Sequence, residues 1–232
     1  MSEVTFRITD TNPSVKVTMV DENITTQKNI HLEELITELV SNYKISTDLL
    51  PQGTRLYKGA GSDYVACVEI AAKVRDFTIS KYKDGNKLTD EVIQIPYPTC
   101  LFIFFIQNKK VYELKLFALK HPLQTIGKDK LYWFPFSNVY QDGRICWGNA
   151  GVSLKVNKPM EMVGIINQFL GSTFNGDVAQ NNVKFTKDCG FSDFWGLVKA
   201  LTGKPEFPLE LLKETNQELK NILESINGED DE

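Results

Sequence analysis

Strand-like segments follow one another almost without interruption from Asp63 to Trp147: "DYVACVEIAA", "VRDFTISKYK", "DEVIQI", "TCLFIFFI", "KVYELKLFAL" and "KLYWFPF". β-branched and aromatic residues dominate them, and "DGNK" and "QNKK" separate them in the manner of hairpin turns. Sequential hairpins predict an antiparallel meander. Within "VYELKLFAL", Tyr112, Leu114, Leu116 and Ala118 alternate with Glu113 and Lys115. That period of two predicts a sheet with one face packed and the other at least partly wet.

The flanks read differently. Residues 3 to 20 hold two short strands, "VTFRIT" and "SVKVTMV", broken by "DTNPS". "NIHLEELITELVSNY" then places Leu32, Leu35, Ile36, Leu39 and Val40 on one helical stripe with Asn29 as the cap. After the strands, Asn157 and Pro159 open "MEMVGIINQFLG", whose Met162, Ile165, Ile166, Phe169 and Leu170 form a stripe ended by Gly171. Ser192 is placed to cap "DFWGLVKALTG", ending at Gly203. In "LELLKETNQELKNILESI", Leu212, Leu219 and Ile226 recur every seven residues before the acidic "GEDDE". A helix with that stripe either docks back on the sheet or offers itself to a partner. The fold class expected is α+β: an antiparallel meander flanked by helices, with a β-β-α extension over residues 1–60, a core over 61–205, and a C-terminal helix with acidic tail over 206–232.

Composition narrows the function classes. With 42% hydrophobic residues in 232, the chain can bury a substantial core. A net charge of −4, with no Lys/Arg run longer than Lys109-Lys110, argues against a phosphate-neutralising surface, so nucleic acid is not expected as a ligand. "CLFIFFI" is too short to span a bilayer, and "MSEVTFRITD" lacks the features of an export signal. A cytoplasmic protein without a membrane partner is expected.

The four cysteines, Cys67, Cys100, Cys146 and Cys189, include no C-x-x-C pair, and the two histidines are His31 and His121. The spacing of a zinc site is therefore absent, no cofactor or metal is implied, and a reducing compartment gives no reason for disulfides. Cys67 and Cys100 lie inside apolar strands. Cys146 follows "NVYQDGRI", where Asp142-Gly143 reverses the chain between "NVY" and "RICW". If Ile145 points into the core, Arg144 and Cys146 point away from it, so Cys146 is the thiol expected at the surface. Arg144 is the nearest cation in sequence. Nothing in the sequence requires His31 or His121 to reach Cys146, and the G-x-S-x-G, G-x-x-x-x-G-K-[ST] and H-E-x-x-H patterns are missing.

"FSNVYQDGRICWGN" resembles the active-site segment of ubiquitin-conjugating enzymes, in which a His-Pro-Asn tripeptide, a turn and an Ile/Val-Cys pair follow the last meander strand. Asn138 falls on the asparagine of that motif and Cys146 on its thioester cysteine. Together with "FLGSTFNGD" downstream, the segment resembles the prokaryotic branch of the superfamily, including the B protein of the PRTRC system. The resemblance implies that Cys146 carries a ubiquitin-like protein as a thioester and passes it to an amine. It implies as partners a ubiquitin-like protein, an activating-enzyme-like (ThiF-type) protein and a JAB-type peptidase of the same system. Asn138 would either donate to the tetrahedral oxyanion or fix the loop through backbone bonds. Asp142 would assist the incoming amine or simply make the turn with Gly143, and Trp147 and Asn149 would form the rim, although Trp147 equally suits a core.

This chain departs from the motif in two places. Phe136-Ser137 stands for His-Pro, and Trp147-Gly148-Asn149 for an aliphatic continuation. The competing readings are an interaction module of the same fold that has lost its chemistry, and a scaffold whose cysteine is incidental.

Overall fold

A computed structural model describes residues 3–9, 12–21, 24–34, 48–60, 62–83, 86–148, 154–176, 191 and 193–224. The chain divides into two compact units, Met1–Thr47 and Asp48–Glu232.

The first unit is an antiparallel sheet of β1 (Glu3–Thr9), β2 (Asn12–Asp21) and β3 (Ile24–His31), in that order. β3 was not expected. Asn29 pairs with Lys16 inside it and is not a helix cap, and helical backbone begins only at Leu32. "ITTQKNIH" is almost wholly exposed. A strand of that kind has no apolar alternation to reveal it, and its β-branched residues are the sole hint. The stripe residues Leu35, Ile36, Leu39 and Val40 lie outside the described residues.

The second unit holds two sheets. The larger has the order β10-β9-β8-β5-β4, from β4 (Thr54–Ala60), β5 (Asp63–Ile70), β8 (Thr99–Gln107), β9 (Lys110–Leu119) and β10 (Tyr132–Trp133). The smaller is β11-β6-β7, from β6 (Lys73–Lys83), β7 (Asn86–Tyr97) and the two-residue β11 (Thr173–Phe174), which joins β6 in parallel. A simple meander is therefore corrected: β5 pairs with β8, from Ile70↔Cys100 to Tyr64↔Ile106, and the β6–β7 hairpin leaves the sheet between them. Pro98 lies at the β7–β8 junction and has no N–H for a continuing ladder, so the chain breaks there and starts a new sheet at Thr99.

Strand β8 is buried on both faces, which its unbroken apolar run already suggests. Cys100, Phe102, Phe104 and Ile106 join one apolar cluster, and Leu101, Ile103 and Phe105 join another. The turn to β9 uses Asn108 and Lys109, both at positive φ (51° and 59°), as a two-residue hairpin of the primed type requires. Tyr112 corrects the expected alternation. The register slips between Phe105 and Ile106, so Val111 and Leu114 face the core while Tyr112 is half exposed against Phe105.

Most of "KLYWFPF" is not strand either. Only Tyr132 and Trp133 pair with β9, because the chain then turns inward to bury Phe134 and Phe136. Those rings join Phe77, Tyr97, Phe169 and Phe174 in a connected aromatic core, with Phe77 stacked on Phe174 at 4.4 Å and 17°.

Helix α1 (Met162–Leu170) follows a 3-10 turn at Pro159–Glu161 and buries the five residues of the expected stripe. Helix α2 (Phe194–Leu201) is capped by Asp193, whose carboxylate accepts the Gly196 N–H at 2.7 Å. The cap is one residue later than expected, and Ser192 lies outside the described residues. The expected long C-terminal helix is broken. A 3-10 turn spans Leu209–Leu211, and α3 spans Leu219–Glu224. Between them, Lys213 and Thr215 hydrogen-bond the strand edge at Trp133 and Leu131, which requires extended backbone there. α3 docks Leu219 and Ile222 among Leu101, Ile103, Phe117 and Leu119 on the second face of the large sheet.

Candidate functional site

The segment around Cys146 is a small hairpin laid along the edge of β9. Val139 and Ile145 form an antiparallel bridge, Tyr140 N–H donates to Arg144 O at 2.9 Å, and Cys146 N–H donates to Asn138 O at 2.8 Å. Leu116 N–H donates to Gly143 O at 2.8 Å, and Ile145 N–H to Leu114 O at 3.1 Å, so the descending arm takes the place along β9 that β10 leaves free.

Sequence explains this locally. Gly143 sits at φ 86°, and a Cβ there would meet the Phe117 ring at 2.5 Å, so only glycine fits the reversal. Val139 and Ile145 are buried, which turns Arg144 outward and leaves Cys146 partly exposed. The loop leading in is held by Phe136, fully buried among aromatic rings. Packing thus supports the loop where the ubiquitin-conjugating motif has His-Pro.

Cys146 differs from the other described cysteines. Cys67 and Cys100 are buried in strands, and burial pushes both thiols up to about 12. Cys189 lies outside the described residues. The Sγ of Cys146 accepts a hydrogen bond from the Tyr140 hydroxyl at 3.2 Å. That hydrogen bond, followed by the nearby Cys146 charge, raises the Tyr140 pKa above its usual value, so the hydroxyl keeps its proton and stays a donor. Tyr140 is half exposed. No motif in the sequence singles it out. Its signal is positional, since a strand pair closed at Val139–Ile145 brings Tyr140 and Cys146 together across the turn.

Asn138 adopts φ 66° and donates its side-chain amide to Thr173 O at 3.0 Å, with a longer bond to Ser172 Oγ at 3.5 Å. It thereby ties the hairpin to β11. Asp142 accepts from the Arg144 backbone N–H at 3.0 Å and pairs with the Arg144 guanidinium. Burial works to raise the Asp142 pKa, but the bonds to Arg144 and the charges of Arg144 and Lys115 outweigh it and hold the carboxyl below its usual range. Arg144 also lies 5.8 Å from the Tyr140 ring centroid. Trp147 packs partly into the core, edge-on to Phe169 at 6.1 Å. A groove of about 130 Å³ is lined by residues 111–114 of β9 with Arg144, Ile145, Trp147 and Leu154, so it takes in both sequence neighbours of Cys146 but not Cys146 itself. Asn149 lies outside the described residues. His121 follows the far end of β9, with Nδ1 3.2 Å from the Pro122 carbonyl, whereas the hairpin meets β9 at residues 114–116.

A partly exposed thiol at the end of a hairpin has the access to solvent that nucleophilic chemistry requires. Residues 67–215 match the model of prokaryotic E2 family D. The chain belongs to prokaryotic E2 family D. No curated protein and no solved structure matches it. The matched span contains the Cys146 hairpin, α1 and α2. As an E2-like protein the chain is of the conjugating-enzyme type, a class that works with a ubiquitin-like protein and an activating enzyme. Among the described residues no helix is long and apolar enough to cross a membrane.

Proposed function

We propose that Cys146 carries a ubiquitin-like protein as a thioester and transfers it to an amine, within a conjugating core assigned to residues 61–205. The observation that carries this reading is the exposure of Cys146 on an ordered hairpin while Cys67 and Cys100 are buried. The thiol attacks the activating enzyme's thioester, a carbon–sulfur bond replaces another, and the amine later displaces Cys146 from the carbonyl carbon. Asn138 holds the hairpin through Thr173 with one N–H of its amide, and its second N–H, at 3.5 Å from Ser172 Oγ, would serve a tetrahedral oxyanion. Asp142, Gly143 and Arg144 hold the turn, and Trp147 forms one wall of the groove. The finer placement beside the B protein of the PRTRC system, with a JAB-type peptidase among its partners, rests on "FSNVYQDGRICWGN" and "FLGSTFNGD", and a cytoplasmic site of action is proposed with it.

The test is charging with ATP and the activating enzyme and ubiquitin-like protein encoded beside the gene, resolved with and without thiol reductant. The expected result is a reductant-sensitive adduct that disappears in Cys146→Ser. With charged activating enzyme present and no adduct formed, the protein is a binding module, the reading that Phe136-Ser137 in place of His-Pro would favour.

A further inference from the structure

We infer that the Tyr140 hydroxyl is a catalytic group of this site, donating a hydrogen bond to the Cys146 sulfur as that sulfur leaves the thioester. The inference rests on the thioester reading above. Its basis is geometric. The hydroxyl lies 3.2 Å from Sγ, and the backbone of Tyr140 is fixed on both sides, through its own N–H to Arg144 O and through its carbonyl, which accepts the Gly143 N–H at 2.9 Å. The charged groups facing the ring are Arg144 and Asp142, and they are paired with each other. The hydroxyl is therefore the donor that the structure directs at sulfur.

The discharge step balances simply. The amine nitrogen bonds to the thioester carbon, the carbon–sulfur bond breaks with its electron pair going to Sγ, and the proton lost by the amine passes to solvent or to sulfur. Negative charge thus gathers on Sγ late in the step. A donor already aimed at that atom stabilises it without reorganising, and a hydrogen bond to a charged acceptor is stronger than one to a neutral acceptor.

Tyr140→Phe removes the hydroxyl and keeps the ring over Arg144. In a Cys189→Ser background one measurement needs no partner protein: the rate at which lysine methyl ester aminolyses the acetyl thioester formed with p-nitrophenyl acetate, with iodoacetamide labelling as the check on the buried thiols. Aminolysis should slow by about three- to tenfold. Continued protection of Cys67 and Cys100 reports an intact core.

Unchanged aminolysis overturns the inference while leaving normal charging of Cys146 untouched. A protein that activating enzyme never charges overturns the thioester reading and the discharge step with it.

Discussion

Gly143 and Asp142 govern the site one residue at a time. Gly143 combines positive φ with a 2.5 Å approach to the Phe117 ring, so Gly143→Ala brings both backbone strain and a clash with a packed side chain. We expect a loss of about 2–4 kcal/mol in urea unfolding, together with a change in Cys146 alkylation, because the same turn aims the thiol. Asp142 ties the turn electrostatically. Its pKa is depressed in the folded state, so the stability it contributes is present above the ordinary carboxylate range, near pH 4, and is lost as pH falls through its lower folded value. Asp142→Asn should therefore flatten the acid limb of a stability–pH curve, and an unchanged limb would mean that solvent screens the Arg144 pair completely. The composition of "YQDGR" suggested a turn. The contact with Phe117 that makes glycine obligatory depends on β9 arriving beside it, which no local pattern states.

The edges of β9 show how elements build the site. Tyr132 and Trp133 occupy the strand from Phe117 to Ala118, and the Cys146 hairpin occupies it from Leu114 to Leu116. The edge thus receives two short partners in succession. Leu123 N–H and the Arg55 guanidinium meet on the buried carboxylate of Glu69, linking β4, β5 and the segment that follows β9. Removing one partner of such a pair leaves polar groups without bonds. Glu69→Ala should cost about 2–3 kcal/mol, a figure held down by the exposure of Arg55, while the charging of Cys146 persists at low temperature. Chemical denaturation followed by tryptophan fluorescence measures the first part and the thioester gel the second. The stripe of α1 and the apolar run of β8 were both legible, since each is a strong periodic signal. β3 and β4 were not, being polar or half-buried strands whose pairing comes from their neighbours.

Across the 48–232 unit, the large sheet is covered on two faces, by the β6–β7 sheet with α1 and α2 on one and by α3 on the other. The six described residues of α3 would not hold a helix by themselves, and Leu219 and Ile222 anchor them by packing. Leu219→Ala should destabilise this unit by about 2–4 kcal/mol. A shift in melting temperature measures this, and a neutral result would show that the second face does not need its cover. The seven-residue repeat that announces this helix marks the docking residue Leu219 correctly, but Leu212 lies in extended backbone before it and Ile226 lies outside the described residues. Lys213 and Thr215 are claimed by the edge beside β10 instead. Long-range pairing overrode helical periodicity there because each extended residue satisfies a strand-edge group that would otherwise lack a partner.

By itself, the sequence determined the α+β class, most strands of residues 63–119, the stripes of α1 and α2, and the hairpin that presents Cys146. All of these rest on patterns within ten or so residues. Tertiary structure alone decided that β6 and β7 form a second sheet, that Phe136 supports the site by burial, that Asn138 bonds to β11, and that Lys213 and Thr215 pair with the strand edge at Trp133 and Leu131. The physical reason is the same for all four. Each is a contact between groups brought together by chain reversal, and local propensity carries no term for a partner that arrives from elsewhere in the fold.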